Sequence, residues 1–114
     1  TPSPYPTRFR AGPRAADTTV RDGGEEFACI LPYTDSQGAG EIANAIKRQV
    51  ELLHIPHEKS SISPFVTISV GVAAAQCKPG ANVGRWIEQA DQQLYLSKKL
   101  GRNRIHSVAF EHAA

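Results

Sequence analysis

The sequence has little of what marks several large classes of protein. Its formal net charge is only +2 over 114 residues, and its lysines and arginines form no continuous block, so charge gives no argument for nucleic-acid binding. The longest apolar run, residues 66–75, is far shorter than the roughly 20 residues that span a membrane. Residues 1–13 contain four prolines and no apolar core, unlike a signal peptide. We therefore expect a cytoplasmic segment without nucleic-acid or membrane contact, although an anchor elsewhere in a longer protein would be compatible with it.

Patterns for disulfides and metal centres are equally scarce. The two cysteines, Cys29 and Cys77, fall in or near strand-like stretches, and we expect them to be reduced. His54 and His57 have no further histidine or cysteine at ligand spacing, which favours solvated loop histidines over a metal site. With 40% apolar and 21% charged residues, the composition is that of one small globular domain or a piece of a larger one.

The most informative stretch is a predicted β-hairpin with two glycines at its tip. Residues 17–21 have the β-branched character of a short strand. Residues 27–31 form an apolar run closed by a proline, which predicts a strand buried on both faces. Gly23 and Gly24 permit a tight turn and leave no side chain between the backbone N–H groups and a phosphate.

Two adjacent carboxylates follow the glycines. Glu25 and Glu26 would present hard oxygen ligands beside such a phosphate, as Mg²⁺ requires. The same residues also suit an ordinary solvated turn, in which glycines and acids have no further role. Spacing alone leaves both interpretations open.

Two helices and two further strands are predicted downstream. Asp35 or Ser36 caps the first helix, whose apolar positions are Ala39, Ile42, Ala43, Ile46, Val50 and Leu53. Residues 54–64 indicate a loop or small hairpin. Residues 65–73 alternate as a strand with one large apolar face and one face of small residues, which a helix or ligand can approach closely. Residues 104–110 are predicted to be the final edge strand.

The second helix carries the chain's clearest basic pair. Asn82 is its predicted cap and Gly101 its C′ residue, and its predicted buried stripe comprises Val83, Ile87, Ala90 and Leu94, joined by Trp86 and Tyr95. Lys98 and Arg102 stand four residues apart, so both can meet one polyphosphate. Cations are also stabilised at any helix C-terminus, which is the alternative interpretation.

Several of these motifs together resemble the GGDEF family of diguanylate cyclases. They are Gly-Gly-Glu-Glu-Phe at residues 23–27, Thr-Ile-Ser-Val-Gly at 67–71, the closing helix with Gly-Arg-Asn at 90–104, and an Arg-x-x-Asp at 14–17. The resemblance covers residues 8–106, about the C-terminal two-thirds of such a domain. It implies a partial GGDEF domain at 8–110 and a tail at 111–114, whereas the three prolines in residues 1–7 predict an extended or disordered lead-in.

The fold that this resemblance implies is α/β (α+β), like the ferredoxin-like palm of nucleotide cyclases. We expect an antiparallel-rich sheet with helices on one face, the N-terminal strand and helix of the domain being missing. A missing strand would expose a sheet edge and apolar helix surface. The chain by itself is therefore expected to be marginally stable, or to form a homodimer or a domain-swapped oligomer.

The implied activity is synthesis of cyclic di-GMP from two GTP with release of pyrophosphate, in bacterial second-messenger signalling, with Mg²⁺ (or Mn²⁺) as cofactor. By resemblance, the catalytic and metal-binding residues are Glu25 and Glu26, and the substrate phosphates are held by Gly23, Gly24, Lys98 and Arg102. The family's metal-binding aspartate lies on the strand that has no counterpart here. We therefore expect little turnover from this chain alone.

The resemblance also implies a product-inhibition site at Arg14 and Asp17. There an arginine grips phosphate or guanine and an aspartate accepts from a guanine edge, although the bare pattern also fits a surface ion pair. A second arginine of that site falls on Ala45 here, with Lys47 or Arg48 as nearby substitutes.

A second departure from the family is Asp22, which stands where relatives carry tyrosine and adds a carboxylate that repels a triphosphate unless a cation compensates. An alternative function follows from Asp22 and the missing half of the domain. The chain could be a non-catalytic receptor that binds cyclic di-GMP through Arg14 and Asp17. The intact Gly-Gly-Glu-Glu-Phe favours catalysis, because a receptor has no need of it.

Overall fold

A computed structural model of the chain describes residues 18–22, 26–76 and 78–110. They belong to two compact units, the first ending at Tyr33 and the second beginning at Thr34. The elements in chain order are β1 (Thr18–Asp22), β2 (Glu26–Ile30), α1 (Ser36–Leu52), β3 (Val70–Ala74), α2 (Val83–Lys99) and β4 (Ile105–Ala109). The fold is thus α+β, as predicted. Neither helix is long and apolar enough to cross a membrane, as far as the described residues extend.

The first unit contains the predicted hairpin. Strands β1 and β2 pair antiparallel in a register that runs from Thr18 opposite Ile30 to Asp22 opposite Glu26. The expectation that β2 is buried on both faces is wrong, because Phe27 is 53% exposed and Ile30 is 54% exposed. Within the described residues β2 is hydrogen-bonded to β1 alone, and a two-stranded ribbon has too little surface to cover both faces of a strand.

In the second unit, α1 begins at the predicted cap. The Asp35 carboxylate accepts a hydrogen bond of 2.8 Å from the Gly38 N–H, which satisfies one of the free donors of the first turn. Ala39 and Ala43, one turn apart, are the buried residues of the helix. Leu53 was expected in the same stripe, but it lies just beyond the last turn and is 66% exposed.

Strands β3 and β4 form a parallel pair, so the sheet elements comprise one antiparallel and one parallel pairing. The register runs from Val70 opposite Ile105 to Ala74 opposite Ala109. The strand predicted over 65–73 begins only at Val70, where pairing with β4 starts. Phe65 instead forms an isolated antiparallel bridge with Pro56, so the preceding loop is a small hairpin.

Helix α2 crosses between the parallel strands and packs on the small-residue face of β3. A Cβ at Gly71 would lie 2.2 Å from the Leu94 backbone nitrogen and 2.4 Å from the Ala90 carbonyl oxygen. The two backbones therefore touch where only glycine leaves room. The Trp86 Nε1–H also donates to the Ala73 carbonyl at 2.9 Å. This close approach of a helix is the one that the sequence predicted.

The two helices lie on opposite faces of the parallel pair, and the prediction of helices on one face is wrong. Helix α1 contacts both β3 and β4 but not α2, although all four elements are fully described. Side chains alternate along a strand, so Val72 and Ala74, both buried, point away from the face that α2 covers at Gly71. A parallel pair carries apolar or small residues on both faces and is covered on both.

Helix α2 is also rotated relative to the predicted stripe. Its cap is Asn82, whose side-chain oxygen accepts from the Arg85 N–H at 3.2 Å. Val83, Ile87 and Tyr95 were expected to be buried, but they are 62%, 55% and 64% exposed. The other predicted members of the stripe, Trp86, Ala90 and Leu94, do face the sheet, and Ser97 joins them because Gly71 admits the helix backbone there.

Candidate functional site

Part of the predicted site lies outside the residues that the structure describes. These positions are Gly23, Gly24 and Glu25 at the hairpin tip, and Arg14 and Asp17 before β1. Their roles stay predictions. The described strands fix only the two ends of the hairpin loop, which connects Asp22 to Glu26.

Glu26 is the first residue of β2 and lies directly opposite Asp22 in the strand register. It is half-buried. A single carboxylate fits Mg²⁺, since this ion is usually held by one or two carboxylates together with substrate phosphates. The described part of the chain contains no cluster of three histidine, cysteine, aspartate or glutamate side chains that could enclose a metal by itself.

The predicted cations Lys98 and Arg102 lie at the C-terminal end of α2. Lys98 belongs to the last helical turn and is half-buried, whereas Arg102 follows the helix and is exposed. The Arg102 N–H donates to the Ser97 carbonyl at 2.8 Å, which ties the residue back to the helix end. Two cations at a helix C-terminus are stabilised by the helix dipole.

The backbone around Arg102 is unusual. Gly101 has φ +127°, as expected of a C′ glycine, but Arg102 at φ +62° and Asn103 at φ +48° continue in the left-handed region. Residues with a Cβ adopt it at a cost, typically about 1 kcal/mol or more. The chain thus holds Arg102 in a strained backbone conformation that periodicity in the sequence does not reveal.

Ser97 is a site residue that the sequence analysis missed. It is fully buried, and its hydroxyl donates to the Val70 carbonyl at 2.7 Å and lies 2.9 Å from the His106 Nδ1. A serine hydroxyl has one proton, and Ser97 donates it to the Val70 carbonyl. The Ser97 oxygen is therefore the acceptor toward His106, whose Nδ1 carries the donated proton. These bonds fasten the turn that carries Lys98 to both β3 and β4. No local pattern could indicate this, because the three partners are distant in the chain.

Arg104 was also missed. Its carbonyl accepts from the Val70 N–H at 3.0 Å, while its Nε–H donates to the Arg102 carbonyl at 3.0 Å. A Cβ at Gly101 would lie 2.6 Å from the Arg104 Nη2, so the guanidinium occupies the space over the glycine.

On α1, the product-site substitutes differ in availability. Ala45 is exposed on the helix. The Lys47 ammonium is bonded to the Glu51 carboxylate at 2.7 Å, and Arg48 is exposed. The family's second product-site arginine falls on Ala45 here. Of its two candidate replacements, Arg48 is therefore the one whose charge is not already paired on the helix.

Sequence comparison places these residues in a known family. The profile described as "Diguanylate cyclase, GGDEF domain" matches residues 7–104. Diguanylate cyclase A of Treponema denticola is 39% identical over 92 residues, covering 81% of this chain and 24% of the relative. The response regulator PleD of Caulobacter vibrioides is 33% identical over 103 residues, covering 89% of this chain and 22% of that protein. The chain spans about a quarter of the length of these curated relatives.

A solved structure agrees with the sequence matches. The GGDEF domain of DgcB from Caulobacter crescentus, determined in complex with cyclic di-GMP, superposes with a TM-score of 0.67 at 32% identity. The match covers 85% of this chain and 55% of that one. The α+β fold is that of the nucleotide-cyclase palm, and the chain belongs to the GGDEF family of diguanylate cyclases.

Proposed function

We propose that the protein is a diguanylate cyclase, which converts two GTP into cyclic di-GMP and two pyrophosphates. The observation that supports this most directly is the end of α2. There Lys98 and the exposed Arg102 lie close along the chain, on a helix end fastened to the sheet through Ser97. Because the chain spans about a quarter of its relatives' length, the activity is proposed for the whole protein.

In this reaction the 3′-hydroxyl oxygen of each GTP attacks the α-phosphorus of the other. An O–P bond forms, the bond from the α-phosphorus to its bridging oxygen breaks, and pyrophosphate leaves while the hydroxyl loses its proton. Glu25 is the proposed acceptor of that proton. The leaving pyrophosphate gains negative charge, and Lys98 and Arg102 are proposed to bind its phosphates and stabilise that charge.

A second set of proposed substrate-binding groups belongs to the hairpin. The backbone N–H groups of Gly23 and Gly24 are proposed to bind phosphate oxygens, since glycine permits that close approach. Glu25 and Glu26 would hold Mg²⁺ (or Mn²⁺), which when bound neutralises phosphate charge and polarises the phosphoryl oxygens. Each domain would bind one GTP, so closing the ring requires two domains. The proposed active form is therefore a homodimer, and a domain-swapped pair is its variant.

Calorimetric titration with a non-hydrolysable GTP analogue and Mg²⁺ tests the phosphate site. Replacing Lys98 or Arg102 by alanine should weaken binding about tenfold or more, since each removes a charge-assisted contact. Lys59→Ala and Arg85→Ala remove the same charges from exposed positions, one between α1 and β3 and one in the first turn of α2, and should leave the affinity unchanged. An equal loss of affinity in all four variants would mean that only net charge matters, and it would contradict the proposed site.

Binding of cyclic di-GMP is a second function to test, because the matched DgcB domain was solved with that ligand. We propose that Arg14 and Asp17 bind it here, as an inhibitory product in a cyclase or as the signal in a non-catalytic receptor. Titration with cyclic di-GMP should give heat that Arg14→Ala abolishes. Heat with this ligand but none with the GTP analogue would favour the receptor, and the reverse would leave the cyclase without this site.

A further inference from the structure

We propose that Arg104 is a positioning residue for Arg102 and so a determinant of triphosphate affinity. The inference rests on the proposed function, in which Arg102 binds the terminal phosphates of a nucleoside triphosphate. Its physical basis is the pair of bonds that hold the Arg102 backbone. The N–H of Arg102 is bound by the Ser97 carbonyl at 2.8 Å, and its carbonyl is bound by the Arg104 Nε–H at 3.0 Å.

The turn that follows α2 contains more left-handed residues than the end of a helix requires. A single left-handed glycine at C′ is enough for that, yet Arg102 and Asn103 also have positive φ, at +62° and +48°. Such conformations persist in residues with a Cβ only where the surroundings hold them, and they concentrate at functional sites. The residue held in this way is the one that carries the proposed phosphate contact.

Arg104 is the side chain that holds this conformation. Its own backbone is anchored to β3 through the Val70 N–H. Its guanidinium then folds back over Gly101, where a Cβ would come within 2.6 Å of Nη2. The Asn103 side-chain oxygen is buried with no hydrogen-bond partner among the described residues, so it contributes no such bond.

The Arg102 side chain, in contrast, is left available. Arg102 is exposed, and its hydrogen bonds in the described structure involve only its backbone N–H and carbonyl. A fixed backbone that carries an unpaired guanidinium loses less conformational freedom on binding a phosphate than a mobile one does. Removing the Arg104 bond should therefore weaken phosphate binding through Arg102, without any contact between Arg104 and the ligand.

A double-mutant cycle separates this role from a direct charge effect. The probe is the non-hydrolysable GTP analogue with Mg²⁺, titrated calorimetrically into the full chain. Arg104→Met should weaken binding about two- to tenfold, the range expected for one hydrogen bond. In an Arg102→Ala background the same substitution should change affinity by less than about 1.5-fold, since a residue that acts through Arg102 has nothing left to act on.

Two control variants make the outcomes distinct. Arg104→Gln keeps a donor but no charge and should retain more affinity than Arg104→Met, while Arg85→Met removes the same charge from the exposed first turn of α2 and should have no effect. An equal loss from Arg104→Met in both backgrounds would overturn the inference in favour of direct contact or bulk charge. A loss from Arg102→Ala with none from Arg104→Met would overturn the inference alone. No loss from Arg102→Ala, or no binding by the unsubstituted chain, would overturn the proposed phosphate site itself.

Discussion

The two strand pairs of this protein have the same length but are held in different ways. Each register contains five residue pairs. The parallel β3–β4 pair is covered on both faces, and α2 is joined to β3 by backbone contact at Gly71 and by the buried Ser97. The β1–β2 hairpin has its backbone ladder, but Phe27 and Ile30 remain half exposed. The family's most recognisable motif therefore lies beside the less covered pair, whereas the proposed phosphate-binding cations lie on the tightly packed one.

The largest expected effect comes from filling the space between β3 and α2. Gly71→Ala would force a methyl group to within 2.2 Å of the Leu94 backbone nitrogen, and backbone atoms cannot rotate away. We expect it to lower the free energy of unfolding by about 3 kcal/mol, the upper end of ordinary overpacking. Urea unfolding followed by fluorescence of Trp86, the single tryptophan, measures this because its indole is bonded to β3.

The matched control for Gly71 is Gly40, which lies inside α1. No atom lies within 4 Å of a Cβ added there, and alanine is the better helix former by about 1 kcal/mol. Gly40→Ala should therefore stabilise the second unit. If Gly71→Ala were as stable as the unsubstituted protein, the close contact between β3 and α2 would be disproved.

A smaller effect is expected from the buried Ser97 hydroxyl, next to the proposed phosphate-binding residue Lys98. Ser97→Ala leaves the Val70 carbonyl and the His106 Nδ1–H without their partner in a fully buried place. The cost of such unsatisfied groups is about 2 kcal/mol. The same urea titration tests it, with Ser107→Ala as control, because Ser107 lies on β4 next to His106 but is exposed. Equal stability of the two variants would show that the hydrogen bonds to Ser97 contribute nothing.

The sequence predicted those features of the fold that depend on a short stretch of residues, but not those that depend on contacts between distant elements. The caps at Asp35 and Asn82, the C′ glycine at 101 and the hairpin are short-range patterns, and all were predicted correctly. The rotation of α2 about its own axis was not predicted, because the helix carries apolar residues on two adjacent stripes. Helical periodicity cannot decide between them, and the decision comes from Gly71 on another element.

The candidate site shows the same difference between residues in a local motif and residues joined only by the fold. Lys98 and Arg102 were recognisable from a motif within one segment, and they lie where the motif suggests, at the end of α2. Ser97 was not recognisable, since a serine in a helix usually faces water, and only the fold brings Val70 and His106 to it. The left-handed backbone of Arg102 and the Arg104 side chain that folds back over Gly101 to bond its carbonyl were likewise not recognisable. The motifs that resemble the family therefore imply the ligand chemistry, but they do not indicate the groups that would hold the proposed site.

The smallest effect, and the sharpest test of the contrast between the strand pairs, is expected on the hairpin. Phe27→Ala removes a larger side chain than Val72→Ala, yet Phe27 is 53% exposed and Val72 only 9%. We expect the Trp86-monitored free energy of unfolding to fall by less than about 1 kcal/mol for Phe27→Ala and by about 2 kcal/mol for Val72→Ala. Running both at two protein concentrations adds a second criterion. A cost for Phe27→Ala that grows with concentration would mean that a second copy of the chain covers the hairpin, so that the exposed face belongs to an interface and the contrast holds only for the isolated chain.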